Sequence, residues 1–208
     1  MSEALLISFE IIGTVAFAIS GAMVGAAKRM DILGIVILGL TAAVGGGVIR
    51  DVILGLTPPV IFVDPMYALI AVATSVMVFL PAVRRAFRAQ PLLYEKGLLL
   101  MDSVGLGVFT TVGIQTATAV SDEYSIFLLS FVGVVTGVGG GIMRDIMAGD
   151  RPYIFVRHFY ASASIIGAVI CSLMWEQCGQ AVSMMSGTVI IIVLRLCAAR
   201  FRWSLPRA

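Results

Sequence analysis

Two arginine-aspartate pairs lie inside apolar stretches of this sequence, and their side chains are the ones best suited to do chemistry. Each pair, Arg50-Asp51 and Arg144-Asp145, follows three consecutive glycines and two apolar residues. A charged side chain within a lipid-spanning helix costs roughly 3 kcal/mol or more, and such residues mark ion paths, proton relays or counter-charges for ligands. The two pairs therefore predict a protein that handles charge inside a membrane.

The elements that must position these pairs are membrane-spanning helices. The chain has 208 residues, of which 60% are hydrophobic and 12% are charged, whereas a soluble domain carries about 25% charged residues. A run of about 20 apolar residues is long enough to cross a bilayer. The sequence contains seven such runs, at about residues 4–27, 32–56, 63–83, 97–120, 124–149, 156–178 and 181–200. It therefore predicts an all-α polytopic membrane protein with seven transmembrane helices.

The basic residues outside these runs predict the orientation of the chain. In the seven-span arrangement, eleven of the 14 Lys and Arg residues fall on one side of the membrane: Lys28, Arg29, Arg84, Arg85, Arg88, Lys96, Arg151, Arg157, Arg200, Arg202 and Arg207. Because basic loops remain in the cytoplasm, we expect a multi-pass protein of the inner membrane with its N-terminus outside and its C-terminus in the cytoplasm. The net charge of +2 is thus an orientation signal and indicates no nucleic-acid partner.

The pattern Gly-Gly-Gly-x-x-Arg-Asp recurs after 94 residues and belongs to a longer duplication, in which Glu10 and Tyr67 match Asp102 and Tyr160. Each copy contains three spans, and because three is odd, the second copy must enter the membrane from the opposite side. Such inverted repeats build a polar path near the midplane at their interface. We expect a first three-helix repeat over 1–83, a basic cytoplasmic loop over 84–96, a second inverted three-helix repeat over 97–179, and an accessory seventh helix with a cytoplasmic tail over 180–208.

Each charge pair has a candidate partner in the first span of its own repeat. With a rise of ~1.5 Å per residue, Glu10 lies at about the depth of Arg50, and Asp102 is matched with Arg144 near the other surface. Adjacent residues on a helix point roughly 100° apart, so we predict the ion pairs Glu10–Arg50 and Asp102–Arg144. We expect the remaining two aspartates, Asp51 and Asp145, to contact backbone groups, water or permeant ions. The predicted charged pore clusters are Glu10, Arg50 and Asp51 in one repeat and Asp102, Arg144 and Asp145 in the other.

These clusters predict a preference for cations. Each cluster sums to −1 when its three groups are ionised, and a slightly negative entrance at both ends favours cations over anions. Arg195, in the seventh span, has no counterpart in the repeat. We expect its side chain to extend towards the cytoplasmic headgroups.

The glycine triplets are the second candidate functional feature. Glycine costs about 1 kcal/mol inside a helix relative to alanine, and close helix packing needs only one small residue per turn. Three glycines in a row, present twice, therefore predict a local break or kink in the second and fifth spans. The candidate pore and kink residues are Gly45, Gly46, Gly47, Gly139, Gly140 and Gly141. Tight helix packing is the alternative explanation for the same residues.

Paired Gly-Gly-Gly-x-x-Arg-Asp motifs in inverted three-span repeats, followed by a seventh span, resemble the prokaryotic members of the trimeric intracellular cation channel family. The resemblance covers nearly the whole chain. It implies a homotrimer surrounded by membrane lipids, with a pore in each subunit and kinks at the glycine triplets. It also implies permeation of potassium and other monovalent cations, such as sodium, and requires no cofactor.

Two functions fit these patterns. A channel would offer a continuous wet path, whereas a secondary transporter would rock around a midplane site and bind a small solute such as glycine. Bacterial sequences of this type have also been labelled glycine transporters. No enzyme is expected, because the sequence has no His, Cys and Asp ligand spacing and no serine nucleophile motif. No metal site is expected either, since the three cysteines lack Cys-x-x-Cys spacing.

Overall fold

The protein is described here from a computed structural model that covers residues 3–120, 124–156 and 159–203. Within these ranges the secondary structure is helical. The helices are α1 (Glu3–Ala27), α2 (Ile32–Ile53), α3 (Val60–Val63), α4 (Met66–Phe79), α5 (Pro81–Ala89), α6 (Pro91–Val120), α7 (Ile126–Met147), α8 (Tyr153–Val156), α9 (Tyr160–Cys178) and α10 (Gln180–Phe201).

Six of these helices are long and apolar enough to cross a membrane: α1, α2, α6, α7, α9 and α10. The predicted third span, 63–83, is represented by α4, which has only 14 residues and rises ~21 Å against a hydrocarbon core of ~30 Å. Its helix stops at Leu80, with φ −53° and ψ 139°, because a residue before a proline is driven out of the helical region. The structure therefore supports six spans, and the count of seven stays a prediction.

The segment predicted as a basic cytoplasmic loop over 84–96 is mostly helical, and its position in the cytoplasm stays a prediction. Both helices of this segment, α5 and α6, begin with a proline, Pro81 and Pro91. Proline favours the first position of a helix, since its ring fixes φ near the helical value and the missing N–H would have no partner there. The two prolines therefore divide the connection into two helices instead of leaving an irregular loop.

Helices α2 and α7 have matching ends, as the sequence duplication predicts. The side chains of Asp31 and Ser125 cap their N-termini by accepting hydrogen bonds from backbone N–H groups, at 2.7 and 3.1 Å. Beyond their C-termini, Gly55 and Gly149 adopt φ of +72° and +71°, a left-handed conformation that glycine adopts without strain. The duplicated sequence therefore specifies duplicated local structure.

The helices pack in two groups that contact each other along α1–α6 and α2–α7. Helices α1, α2 and α4 form one group, α6, α7 and α9 form the other, and α10 packs on α6 and α9. Where α1 crosses α6, the rings of Phe17 and Phe109 stack at 5.4 Å. A Cβ atom at Gly13 would lie 3.1 Å from Phe109, and one at Gly105 would lie 2.2 Å from Phe17. The contact is reciprocal, because each glycine accommodates the aromatic ring from the other group.

Candidate functional site: the α2–α7 crossing and its charged clusters

The two glycine triplets meet where α2 crosses α7. A Cβ atom at Gly46 would lie 2.1 Å from the carbonyl oxygen of Thr136, and one at Gly140 would lie 2.0 Å from the carbonyl oxygen of Ala42. Both distances are far below van der Waals contact, so only glycine fits at the middle position of each triplet. Small residues let helix backbones approach closely, and the resulting van der Waals packing favours association between helices in a membrane. The triplets therefore form a packing site.

Helices α2 and α7 run antiparallel through this crossing. Ala42 contacts Gly140, and Gly46, later in α2, contacts Thr136, earlier in α7. Each arginine-aspartate pair begins four residues after the middle glycine of its own helix, which is about one helical turn. The two pairs consequently lie on opposite sides of the crossing.

Both helices continue without interruption through their triplets, so the predicted break in helical structure is wrong. The cost of about 1 kcal/mol per glycine in a helix is offset by the contact that the missing side chains allow. A bend without loss of helical structure stays a prediction.

The third glycine of each triplet faces a charged cluster. At Gly47 the nearest atom to an added Cβ would be Nη2 of Arg50, at 3.8 Å. At Gly141 an added Cβ would lie 2.9 Å from the hydroxyl of Tyr160 and 3.8 Å from Nη2 of Arg144. The triplet thus has two roles by position: the middle glycine packs against the other helix, and the third borders polar groups.

The first cluster contains Glu10, Arg50, Asp51 and Tyr67. Arg50 binds its neighbour Asp51 through Nε and Nη2, at 2.8 and 2.7 Å from Oδ1. The other oxygen of Asp51 accepts a hydrogen bond of 2.9 Å from the backbone N–H of Val60, at the start of α3. Glu10 accepts a hydrogen bond from the hydroxyl of Tyr67 on α4.

The predicted ion pair Glu10–Arg50 is therefore wrong. The arginine side chain is long enough to fold back over the angle between adjacent helical positions, and its planar guanidinium donates two hydrogen bonds to one carboxylate. Tyr67 supplies a donor for Glu10 instead. Asp51 was expected to contact backbone groups, water or permeant ions instead of Arg50; it pairs with Arg50 and also accepts a hydrogen bond from the backbone N–H of Val60.

An open cavity adjoins the first cluster. Its volume is about 60 Å³, and its wall includes Glu10, Gly47, Arg50, Tyr67 and Phe109. Glu10 and Arg50 were predicted to meet, and the structure brings both to this cavity without pairing them. The cavity therefore places a carboxylate and the third glycine of the triplet on one accessible surface.

The second cluster contains Asp102, Arg144 and Asp145 and is closed. Arg144 lies 2.7 Å from Asp102 and 2.8 Å from Asp145, and it donates to the hydroxyl of Ser20 at 2.5 Å. The predicted Asp102–Arg144 pair is confirmed. Asp145 also accepts a hydrogen bond of 2.9 Å from the backbone N–H of Tyr153, as Asp51 does from the backbone N–H of Val60. The side chains of Arg144 and Asp102 have no exposed surface.

Sequence reasoning missed Arg195 on α10. Its Nη2 lies 3.6 Å from Oδ2 of Asp102, its guanidinium lies 4.6 Å from the ring centre of Tyr160, and the residue is 3% exposed. The expected extension of Arg195 towards the headgroups is wrong. In the structure Arg195 shares one helix face with Ile191 and Ala198, which are fully buried.

Arg195 changes the charge of the second cluster. With all groups ionised, the charges of Glu10, Asp51 and Arg50 sum to −1, as predicted. The charges of the two aspartates and two arginines of the second cluster sum to zero. The prediction of equal negative charge at both clusters is wrong. In the part of the chain that the structure describes, no group of three or more His, Cys, Asp or Glu side chains is arranged to hold a metal ion.

Comparison with known proteins assigns the chain to a family. A family model described as "Glycine transporter" matches residues 7–82 and 99–176. The chain is 38% identical over 201 residues to the UPF0126 inner membrane protein YadS of Escherichia coli K12, covering 95% of this chain and 93% of that protein. A UPF0126 membrane protein of Deinococcus radiodurans is 35% identical over 199 residues, covering 95% and 89%. The chain belongs to the UPF0126 family.

Solved structures connect this UPF0126 chain to TRIC proteins. It is similar to a TRIC cation channel studied for its conductance, with TM-score 0.81 and 35% identity over 96% of this chain and 95% of that one. It is also similar to the TRIC orthologue of Rhodobacter sphaeroides, with TM-score 0.86 and 29% identity over 96% and 100%. The predicted TRIC resemblance is therefore confirmed. These relatives are described as membrane proteins and cation channels.

The different burial of the two arginines predicts different costs of removing them. Arg144→Gln is expected to destabilise the protein by about 3 kcal/mol or more, because it leaves buried carboxylates without their principal cation. Arg50→Gln is the matched variant in the other repeat and should cost less, since Arg50 pairs with one carboxylate beside an open cavity. Thermal unfolding in detergent, followed by tryptophan fluorescence, measures both. Equal shifts in melting temperature would contradict this assignment.

Proposed function

We propose that this chain is a monovalent cation channel of the inner membrane, with a separate path in each subunit of a homotrimer. The observation that carries the proposal is the position of the two charged clusters on opposite sides of the α2–α7 crossing, one of them negative and beside an open cavity. Similarity to solved TRIC cation channels, at 28–35% identity over nearly the whole chain, supports this class of function.

The proposed topology is seven spans in two inverted repeats, with α4 as the short third span. The antiparallel contact of α2 with α7 supports inversion, because matched helices of inverted repeats run in opposite directions. The proposed orientation places the N-terminus outside and the C-terminus in the cytoplasm, as the distribution of basic residues favours. The first cluster then faces the outside and the second faces the cytoplasm.

In the proposed path, cations enter the cavity at Glu10 and move along the surface of Gly47. They pass beside the point where Gly46 and Gly140 bring the backbones together, because no space is left between the helices there. They leave past Gly141 and the second cluster. Since the side chains of Arg144 and Asp102 are fully buried, conduction requires that cluster to rearrange, and a bend of α7 at its glycine triplet would do this. Potassium and sodium are the proposed permeant ions, and no cofactor takes part.

A small-solute transporter is the second candidate function. The cavity presents a carboxylate, Glu10, and a guanidinium, Arg50. These opposite charges suit the ammonium and carboxylate groups of a zwitterion such as glycine. In this case the second cluster would open only after the cavity had closed.

The two functions predict different electrical records. Purified protein in planar bilayers is expected to give unitary currents that reverse near the cation equilibrium potential in a salt gradient. Vesicles containing the same protein should take up no labelled glycine beyond protein-free vesicles. Saturable glycine uptake without unitary currents would overturn the channel proposal and favour the transporter.

Cation preference is expected to depend on Glu10. Glu10→Gln removes the net negative charge of the first cluster, so the reversal potential in a salt gradient should move towards zero. Glu3→Gln is the matched control, since it makes the same charge change at an exposed position on the same helix. An unchanged reversal potential in Glu10→Gln would contradict a path through this cavity.

A further inference from the structure

Helix α10, which has no counterpart in the repeat, contributes a cation to the second cluster. Arg195 lies in the last third of this helix, and its guanidinium packs over the ring of Tyr160, 4.6 Å from the ring centre. The same guanidinium lies 3.6 Å from Asp102. Since the residue is 3% exposed, solvent screens its charge less than that of an exposed arginine.

Asp102 is consequently held between two arginines. Its Oδ1 atom binds Arg144 at 2.7 Å, and its Oδ2 atom faces Arg195. The matched carboxylate of the first repeat, Glu10, accepts a hydrogen bond from the neutral Tyr67 hydroxyl instead. The two ends of the duplicated structure therefore differ by one buried positive charge.

We propose that Arg195 neutralises the second cluster and thereby makes the cation path electrically asymmetric. The inference rests on the proposed channel function and assigns a specificity-determining role to α10, a helix that the repeat alone would treat as accessory. Cations gather at the negative first cluster and meet no net attraction at the neutral second one. Current carried by cations that enter from the side of the first cluster therefore exceeds the current in the opposite direction at equal driving force.

Single-channel recording of charge variants tests this proposal. Arg195→Gln gives the second cluster a net charge of −1, so cations gather at both ends. The ratio of the larger to the smaller current at equal and opposite voltages should approach unity, and the smaller current should rise by about threefold. The ratio is measured on individual channels, so the direction of their insertion in the bilayer does not matter. Arg195→Lys keeps the charge and should preserve the asymmetry of the wild type.

Arg200→Gln is the matched control. Arg200 lies on the same helix but is exposed, so the same change of charge there should leave the current ratio as in the wild type. The salt concentration is kept high enough to screen surface charges while buried charges remain effective. A purely structural role for Arg195 would alter expression or thermal stability without this selective change in the current ratio.

The outcomes separate the two proposals. Wild-type protein without cation currents would overturn the channel function, whereas a conducting wild type with the same current ratio in Arg195→Gln would overturn only the role of Arg195. If Arg195→Gln does not fold, the double variant Asp102→Asn/Arg195→Gln provides the test, because it keeps the cluster neutral. Its current ratio should match that of the wild type, and a ratio near unity would contradict the proposal.

Discussion

The close approach of α2 and α7 at Gly46 and Gly140 is the constraint on which the rest of the structure depends. Lipid provides little hydrophobic drive for helices to associate, so contact between backbones must hold them together. Any side chain at either glycine would overlap a carbonyl oxygen of the opposite helix. Because the helices are antiparallel, this single contact also determines where the two arginine-aspartate pairs lie.

Tight packing, one of the two explanations that the sequence offered for the glycine triplets, accounts for only part of each triplet. Close packing accounts for the middle glycine, whose position touches the opposite backbone. It does not account for Gly47, where an added Cβ would find no atom closer than 3.8 Å. That position borders the cavity and keeps space free beside Arg50. A triplet is therefore needed because packing and the cavity wall require small residues at different positions of the same turn.

Features that depend on periodicity and duplication could be predicted from the sequence. Six of the seven predicted spans coincide with helices long enough to cross a membrane. The repeat identified the Asp102–Arg144 pair, because both members lie at comparable depth in adjacent helices. The same reasoning wrongly predicted the Glu10–Arg50 pair, since depth in the membrane does not reveal that Arg50 folds back onto Asp51. Which of several polar groups at one depth become partners depends on side-chain direction and tertiary packing.

Departures from the repeat were the hardest features to predict. Arg195 lies in the unmatched helix, so comparison of the two copies could not assign it a partner, and distance from the helix end suggested an exposed side chain. Its burial follows from the packing of α10 on α6 and α9. Likewise, Pro81 stops α4 short of a full bilayer crossing, although the apolar run continues across it. The duplication thus accounts for the helices that the two copies share. Residues without a counterpart, such as Arg195, account for the difference between the two charged clusters.

In the proposed channel, the cavity beside Gly47 belongs to the ion path. Gly47→Cys introduces a thiol where an added Cβ would lie 3.8 Å from its nearest side-chain neighbour, Nη2 of Arg50. A cationic thiol reagent added to a conducting bilayer should then block the current. Val52→Cys, on an exposed position of the same helix, and the wild-type protein with its own cysteines should be unaffected. Rapid block of Gly47→Cys alone is the result that this account predicts. Full current in the modified Gly47→Cys protein, with modification verified by mass spectrometry, would contradict it.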